Sequence, residues 1–332
     1  MKTREAAVAA SSPSPSLLSY GHLLIIYLVW GAAYLAVKIC LSGPATITVL
    51  QLQTARLWGA ALLLAAVSAI TSGRPPRLSR RDFWLCALSG VLMWVGGNGL
   101  AAVASLHAAS NFVVMALGAI PLWSSLLDLL FRGEKPQPRM LAGLAIGLCG
   151  LVLVMAPALL AGDRATLDPE HAHATLACLA GAGMSWALGT LLQRPLMGRS
   201  GPAWTATYQI LAAALVPTLP ALVEGAALPL APSNAQLGAF AFLIVFASVI
   251  GLMSFIHVVR SFTPSIASTF AYVNPVVGIL LGWLVLGEIP ATLSLVGMAI
   301  VLVGIAIILR QASERSSAGK AEPVCSRRDK PR

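Results

Sequence analysis

PLWSSLLDLLFRGEKPQPRMLAGLAIGLCG at residues 121–150 and PVVGILLGWLVLGEIPATLSLVGMAIVLVG at residues 275–304 are identical at 13 of 30 positions. Composition alone would match roughly three. The shared residues include those that shape a chain: Pro121 with Pro275, Gly133 and Glu134 with Gly287 and Glu288, Pro136 with Pro290, Gly143 with Gly297, and Gly150 with Gly304. The segment is one copy of a duplication offset by 154 residues. An offset of 156 also lays Trp30 on Trp186 and Lys38 on Arg194, carrying the repeat back to the first helix of each half.

Outward from this segment the chain is apolar almost throughout. Of its 332 residues, 58% are hydrophobic and 10% charged, against about 25% charged in soluble domains. That excludes a soluble globule and leaves a polytopic membrane protein. Ten apolar stretches follow at residues 21–40, 46–70, 83–105, 110–131, 140–158, 172–193, 203–222, 235–259, 265–286 and 292–309. Hydrocarbon leaves no water for unpaired backbone groups, and the alternating pattern of barrel strands is missing, so the stretches are expected to be helices. The expected fold class is all-α, ten transmembrane helices in two five-helix repeats, residues 21–158 and 172–309. Five is odd, so the second repeat enters the bilayer inverted. Residues 1–20 and 311–332 read as disordered tails.

Basic residues set the orientation. With the amino terminus in the cytoplasm, nineteen of the 22 Lys and Arg residues fall on the cytoplasmic side and one, Arg164, outside, while Lys38 and Arg56 lie within spans. This is the positive-inside pattern, and it places both termini in the cytoplasm. It also explains the formal charge of +10 without nucleic acid. The five cysteines and five histidines are scattered without metal-ligand spacing, so no metal, cofactor or disulfide framework is expected.

Two similar halves of opposite orientation can exchange conformations and open a midplane site to either side in turn. The residues expected to line such a site are Trp30, Tyr34, Trp94, Asn98, Trp186, Tyr272 and Asn274, which combine aromatic faces with polar groups at mid-span. Arg56 lies deep enough to meet either a substrate carboxylate or the carbonyl end of a neighbouring helix. The indoles could equally be packing, and the two amides interhelical glue. Gly97 and Gly99, in the run Gly96-Gly97-Asn98-Gly99, and Pro121 and Pro275 are expected helix breaks or hinges. Lys38 reads as snorkelling to the interface. Asp128, the one acid clearly inside a span, is expected to pair with Arg132 at i+4. Gly143-x3-Gly147 and Gly181-x3-Ser185-x3-Gly189 read as close helix packing.

The duplicated Pro-x12-Glu segments, WGAAY at 30–34, Arg56 and AYVNPVVGILLGWLVLGE at 271–288 resemble the EamA type of the drug/metabolite transporter superfamily. Within it, GNG at 97–99, SWALG at 185–189 and AYVNP at 271–275 are similar to YedA-like bacterial inner-membrane exporters. The resemblance implies ten helices, a central cavity, and export of amino acids, related metabolites or small aromatic and drug-like compounds across the inner membrane. Small four-helix multidrug members carry an acid in their first helix, and helix 1 here has none, a departure from proton antiport of that kind. No P-loop, HExxH or GxSxG motif is present, so an ATP-driven pump or an enzyme of those classes lacks its residues. A channel and a lipid-active enzyme are the other classes weighed. The expected partners are a small-molecule substrate and membrane lipid, with no nucleic acid, and the chain is expected to act as a monomer.

The topology yields a first test. Fused at the carboxyl terminus, a fluorescent protein should glow and alkaline phosphatase should be inactive. Phosphatase activity there would overturn the orientation.

Overall fold

The computed structural model describes residues 16–133, 138–160, 167–196, 201–225, 232–262, 264–267, 269–286, 292–293, 295–304 and 306–307. Both tails from 1–15 and 311–332 lie outside them, as do Glu134 and Glu288 of the duplicated segments. The described residues form α1 (Leu17–Ser42), α2 (Val49–Ser72), α3 (Arg80–His107) and α4 (Ser110–Phe131). These are followed by α5 (Pro138–Leu160), then α6 (Pro169–Leu196), α7 (Pro202–Val223) and α8 (Asn234–Ser261). After a single turn at Pro264–Ala267 come α9 (Phe270–Leu286) and α10 (Leu295–Gly304). Seven of these are long and apolar enough to cross a membrane, and α5, α9 and α10 contribute shorter apolar helices. The protein is thus an all-α membrane protein of ten helices in two inverted repeats. One boundary moves: residues 17–20, expected in the tail, are helical because Ser16 caps α1 by accepting from the Ser19 N–H.

Lipid replaces water as the outer solvent, and the side chains sort accordingly. Leu62, Leu130, Phe131, Leu215, Leu219 and Leu284 face outward, while Gln53, Arg56, Ser89, Gln193, Gln209 and Ser248 are buried. Helices cannot gain by hiding leucine from leucine-like lipid, so close packing holds the bundle together. Small residues permit it. A Cβ on Gly150 would stand 2.7 Å from the Val301 nitrogen and 2.8 Å from the Gly297 carbonyl, and one on Gly304 would stand 2.8 Å from the Gly143 carbonyl. Thus α5 lies against its repeat mate α10 along the expected glycine seam. The second small-residue stripe also packs as expected: Ser185 Oγ donates to the Leu92 carbonyl (2.8 Å), and Ser89 Oγ to the Gly189 carbonyl (2.9 Å).

The repeats interlock by exchanging partners. Helix α1 packs on α8 and α9 of the second repeat, while its mate α6 packs on α3 and α4 of the first, and α2 packs on its mate α7. The third helix of each repeat and the fourth of the first repeat are irregular. In α3 the backbone widens to π-helix over Val91–Gly99, and in α8 over Leu243–Ile250. In α4 a 3-10 turn at Leu117–Ala119 interrupts the helix just before Pro121. In the second repeat the equivalent residues 271–273 and Pro275 lie inside α9, and the short helix Pro264–Ala267 precedes it. The break in α3 coincides with the glycine run. That in α8, sequence LIVFASVI, carries no Gly or Pro to announce it.

Gly90 of α3 sits where a Cβ would overlap the Gln209 backbone of α7, whereas Gly21 has open space around it. Gly90→Ala should therefore cost about 1–3 kcal/mol and lower the unfolding temperature in detergent by several degrees. Gly21→Ala, the control, should leave it unchanged.

Candidate functional site: an aromatic cavity between the repeats

At the seam of the two repeats lies a cavity, about 440 Å³ when the open space at its mouth is counted with it. Its walls are Trp30, Ala33 and Tyr34 of α1, Arg56 of α2, Trp94, Gly97 and Asn98 of α3, Leu117 and Ile120 of α4, Ala182 and Trp186 of α6, and Phe270 and Asn274 of α9. Seven of the eight residues expected at a site are brought together here. Tyr272 is the exception and is a correction. Its ring packs with Leu144, Leu151 and Val301 and lies 3.1 Å from where a Cβ on Gly147 would be. Residues 272 and 274 are two apart, about 200° around a helix, so they cannot share a face. Phe270, one turn from Asn274, takes the cavity position instead, and helical periodicity from Asn274 would have found it.

The indoles are held by the irregular helices. Trp30 Nε1 donates to the Ala247 carbonyl inside the α8 π-segment (3.0 Å). Its repeat mate Trp186 packs over Gly97, where a Cβ would stand 3.0 Å from the ring. Gly97 is thus the seat of an indole as well as part of a widened helix. The two rings meet edge to face at 5.2 Å with 85° between planes, and Phe270 stands 5.0 Å from Trp30. Trp94 and Trp186 both keep a buried indole N–H without an acceptor. Gly99 closes the π-segment with ordinary helical angles and no tight neighbour. Asn98 Nδ2 reaches back to the Met93 carbonyl (3.4 Å), inside the same π-segment.

Arg56 is 2% exposed. Its Nε donates to Ser248 Oγ (2.9 Å), and its guanidinium carbon lies 5.3 Å from the Trp94 ring centroid. Ser248 in turn donates to the Leu243 carbonyl five residues back, a bond that the π-segment provides. Of the two sequence alternatives for Arg56, the helix carbonyl end is not the partner observed. Ser248 was missed because nothing in LIVFASVI marks a distortion.

Polar ties stand on either side of the cavity, and those that join the repeats are Asp168 with His107 at one end and Arg194 with Asp128 at the other. At the end where α3 meets α6, Lys38 Nζ does not snorkel but donates to the carbonyls of Ser105 (2.8 Å) and Ala108 (3.2 Å), which close α3. Beside it, the Asp168 N–H bonds the His107 carbonyl (2.9 Å), and Asp168 Oδ2 lies 2.6 Å from His171 Nδ1 and 3.7 Å from His107 Nδ1. The histidines, read as dispersed, thus meet with an acid whose ligand atoms lie within 4.8 Å of both. The reading that no metal set exists is corrected to this extent. The two rings stack at 3.8 Å and 13°, so their in-plane lone pairs run side by side and do not converge on one ion. The hydrogen bond from His171, followed by that from the Glu170 N–H, holds the Asp168 carboxyl below its ordinary range. It therefore stays ionised at neutral pH.

At the opposite end Arg194 of α6 grips Asp128 of α4 with two hydrogen bonds, 2.5 and 3.2 Å. The expected partner, Arg132, lies on the same helix, and its side chain is outside the description. The observed bond runs between repeats instead. A second space of about 330 Å³ lies between this ion pair and the main cavity, lined by Ser124, Thr190, Arg194, Phe255, Val259 and Ala267 and by the shared wall of Ile120, Trp186 and Phe270.

Comparison with known proteins gives this arrangement its class. The EamA-like transporter family model matches residues 18–156 and again 174–310. The chain belongs to that family, and it is a multi-pass membrane transporter. It is 26% identical over 290 residues to the uncharacterized inner membrane transporter YedA of Escherichia coli, covering 87% of this chain and 90% of that one. It is 27% identical over 296 residues to a probable terminal-alkyne amino-acid exporter of Streptantibioticus cattleyicolor, covering 88% and 94%. A crystal structure at 18% identity superposes with a TM-score of 0.67, covering 90% of this chain and 98% of its own, a likeness of fold.

Both partners of the Asp128–Arg194 pair are mostly buried, at 16% and 14% exposed. Asp128→Asn should cost about 2–3 kcal/mol of stability, since it strands a cation away from water. The double variant with Asp128→Arg and Arg194→Asp should recover more than half of the lost unfolding temperature.

Proposed function

We propose that the protein exports small metabolites, amino acids and related or small aromatic compounds, across the bacterial inner membrane by alternating access, with both termini cytoplasmic. The observation that carries this reading is an aromatic-walled cavity whose lining comes from both inverted repeats, with a tie between the repeats at either end. In this reading opening one mouth releases the Asp128–Arg194 pair, and opening the other parts Asp168 from His107. Because α1 and α6 exchange equivalent partners, a rocking of one repeat can trade one opening for the other. Gly97, Gly99 and Pro121 lie in or beside the irregular segments that would absorb the motion, and Pro275, inside α9, is the further hinge of this reading. The amino-acid exporter among the relatives supports the substrate range.

None of the described lining residues is Asp, Glu or His, and Asp128 is engaged with Arg194. No acid is thus placed to trade a proton for solute in the cavity, which favours exchange or uniport down a solute gradient over proton antiport. In proteoliposomes, labelled phenylalanine should enter saturably and faster when unlabelled phenylalanine is loaded on the other side. Trp186→Ala should reduce that counterflow at least tenfold. Linear flux that unlabelled solute on the other side does not accelerate would indicate a channel and reject the proposal.

A further inference from the structure

We infer that the cavity is built for an organic carboxylate, whose anionic end is received by Arg56 and whose apolar or aromatic body lies against Trp30, Trp186 and Phe270. This rests on the cavity being the solute site and deepens it by naming the solute's chemistry.

The first support is an incomplete cation. Arg56 is buried to 2% exposure, yet only its Nε is bonded, to Ser248 Oγ at 2.9 Å. Arg56 lines the cavity, and its two terminal amino groups have no hydrogen-bond or ion-pair acceptor among the described residues. No acid lines that cavity among the described residues. A guanidinium taken from water is costly unless an anion and hydrogen bonds complete it. Its two parallel terminal N–H groups match the two oxygens of a carboxylate. The Ser248 bond and the Trp94 face fix the plane of the fork.

The second support is independent of charge. Trp94 and Trp186, 1% and 7% exposed, line the same cavity and have indole N–H groups without acceptors. The repeat mate Trp30 does have one, the Ala247 carbonyl. The departure from symmetry therefore leaves two unfilled donors on residues of the cavity wall, which the acceptor oxygens of a ligand would satisfy. The surplus is of donors, so a ligand's ammonium meets no carboxylate here. The aromatic walls favour an organic body over a bare inorganic anion.

The test is binding to the purified full-length protein in detergent, read by tryptophan fluorescence and by thermal shift. The ligands are 3-phenylpropionate, phenylalanine, 3-phenylpropanol, phenethylamine and inorganic phosphate. Both carboxylates should bind saturably, and the alcohol, the amine and phosphate at least tenfold more weakly, the scale of one charge-assisted hydrogen bond. Arg56→Gln should weaken 3-phenylpropionate at least tenfold and leave the alcohol unchanged, and Arg56→Lys should recover part of the loss. Should Arg56→Gln fail to fold, Trp94→Phe, which keeps the ring and removes the N–H, should weaken the acid selectively. The ligand comparison on the unmodified protein needs no variant. Equal binding of alcohol, amine or phosphate and acid, an acid unaffected by Arg56→Gln, or no saturable binding of either carboxylate overturns the inference. The two proposals fail separately. Selective acid binding without any flux in vesicles would refute transport alone, whereas equal flux of acid, alcohol and amine would keep transport and refute the carboxylate site.

Discussion

Inside hydrocarbon, every backbone N–H and C=O that a helix fails to satisfy must find a partner within the protein. Among the described residues three helices break that regularity, α3 and α8 by widening and α4 by a 3-10 interruption. Several of the backbone groups at these irregular places are satisfied from the other repeat. Trp30 of α1 bonds a carbonyl of α8, and Ser185 of α6 bonds a carbonyl of α3. The need to satisfy distorted backbone thus sews the two halves together, and the seam so formed is where the cavity lies.

The inverted symmetry is visible in these contacts, and its departures carry the chemistry. Trp30 packs on Gly251 and Trp186 on Gly97, as mates should. Only Trp30 has an acceptor for its N–H. Lys38 and Arg194, equivalent by the offset of the repeat, sit at opposite ends of the cavity. Lys38 closes a helix terminus, whereas Arg194 meets Asp128, whose own mate is Gly282. Arg194 on a carboxylate at one end and Lys38 on carbonyls at the other give the two ends different chemistry.

The aromatic walls and the single cation also divide the work within the cavity. Rings meeting edge to face at about 5 Å make a rigid lining with little rotamer freedom to lose. A buried guanidinium held on one edge by a serine keeps its other edge ready without reorganisation. Neither feature depends on an ionisable group that titrates near neutral pH.

Much of this was legible in the sequence. Apolar run length, basic asymmetry and the duplicated Pro, Gly and Glu positions determine ten helices and an inverted repeat, because bilayer thickness and backbone satisfaction leave few alternatives. Trp30, Trp94, Trp186, Asn98 and Asn274 could be picked out because polar or aromatic groups at mid-span are costly without a reason. Tyr272 was misplaced because depth in the membrane does not say which face of a helix a residue occupies. Phe270 was within reach of helical periodicity from Asn274, whereas Ser248 could not be selected because nothing in LIVFASVI distinguishes it from packing. The partner of Arg56, the π-segment in α8, the meeting of His107 with His171 and Asp168, and the Asp128–Arg194 pair all join residues 60 or more positions apart, or rest on how neighbouring helices strain a backbone. Such contacts exist only once the two repeats have been packed against each other, and the tertiary structure alone decided them.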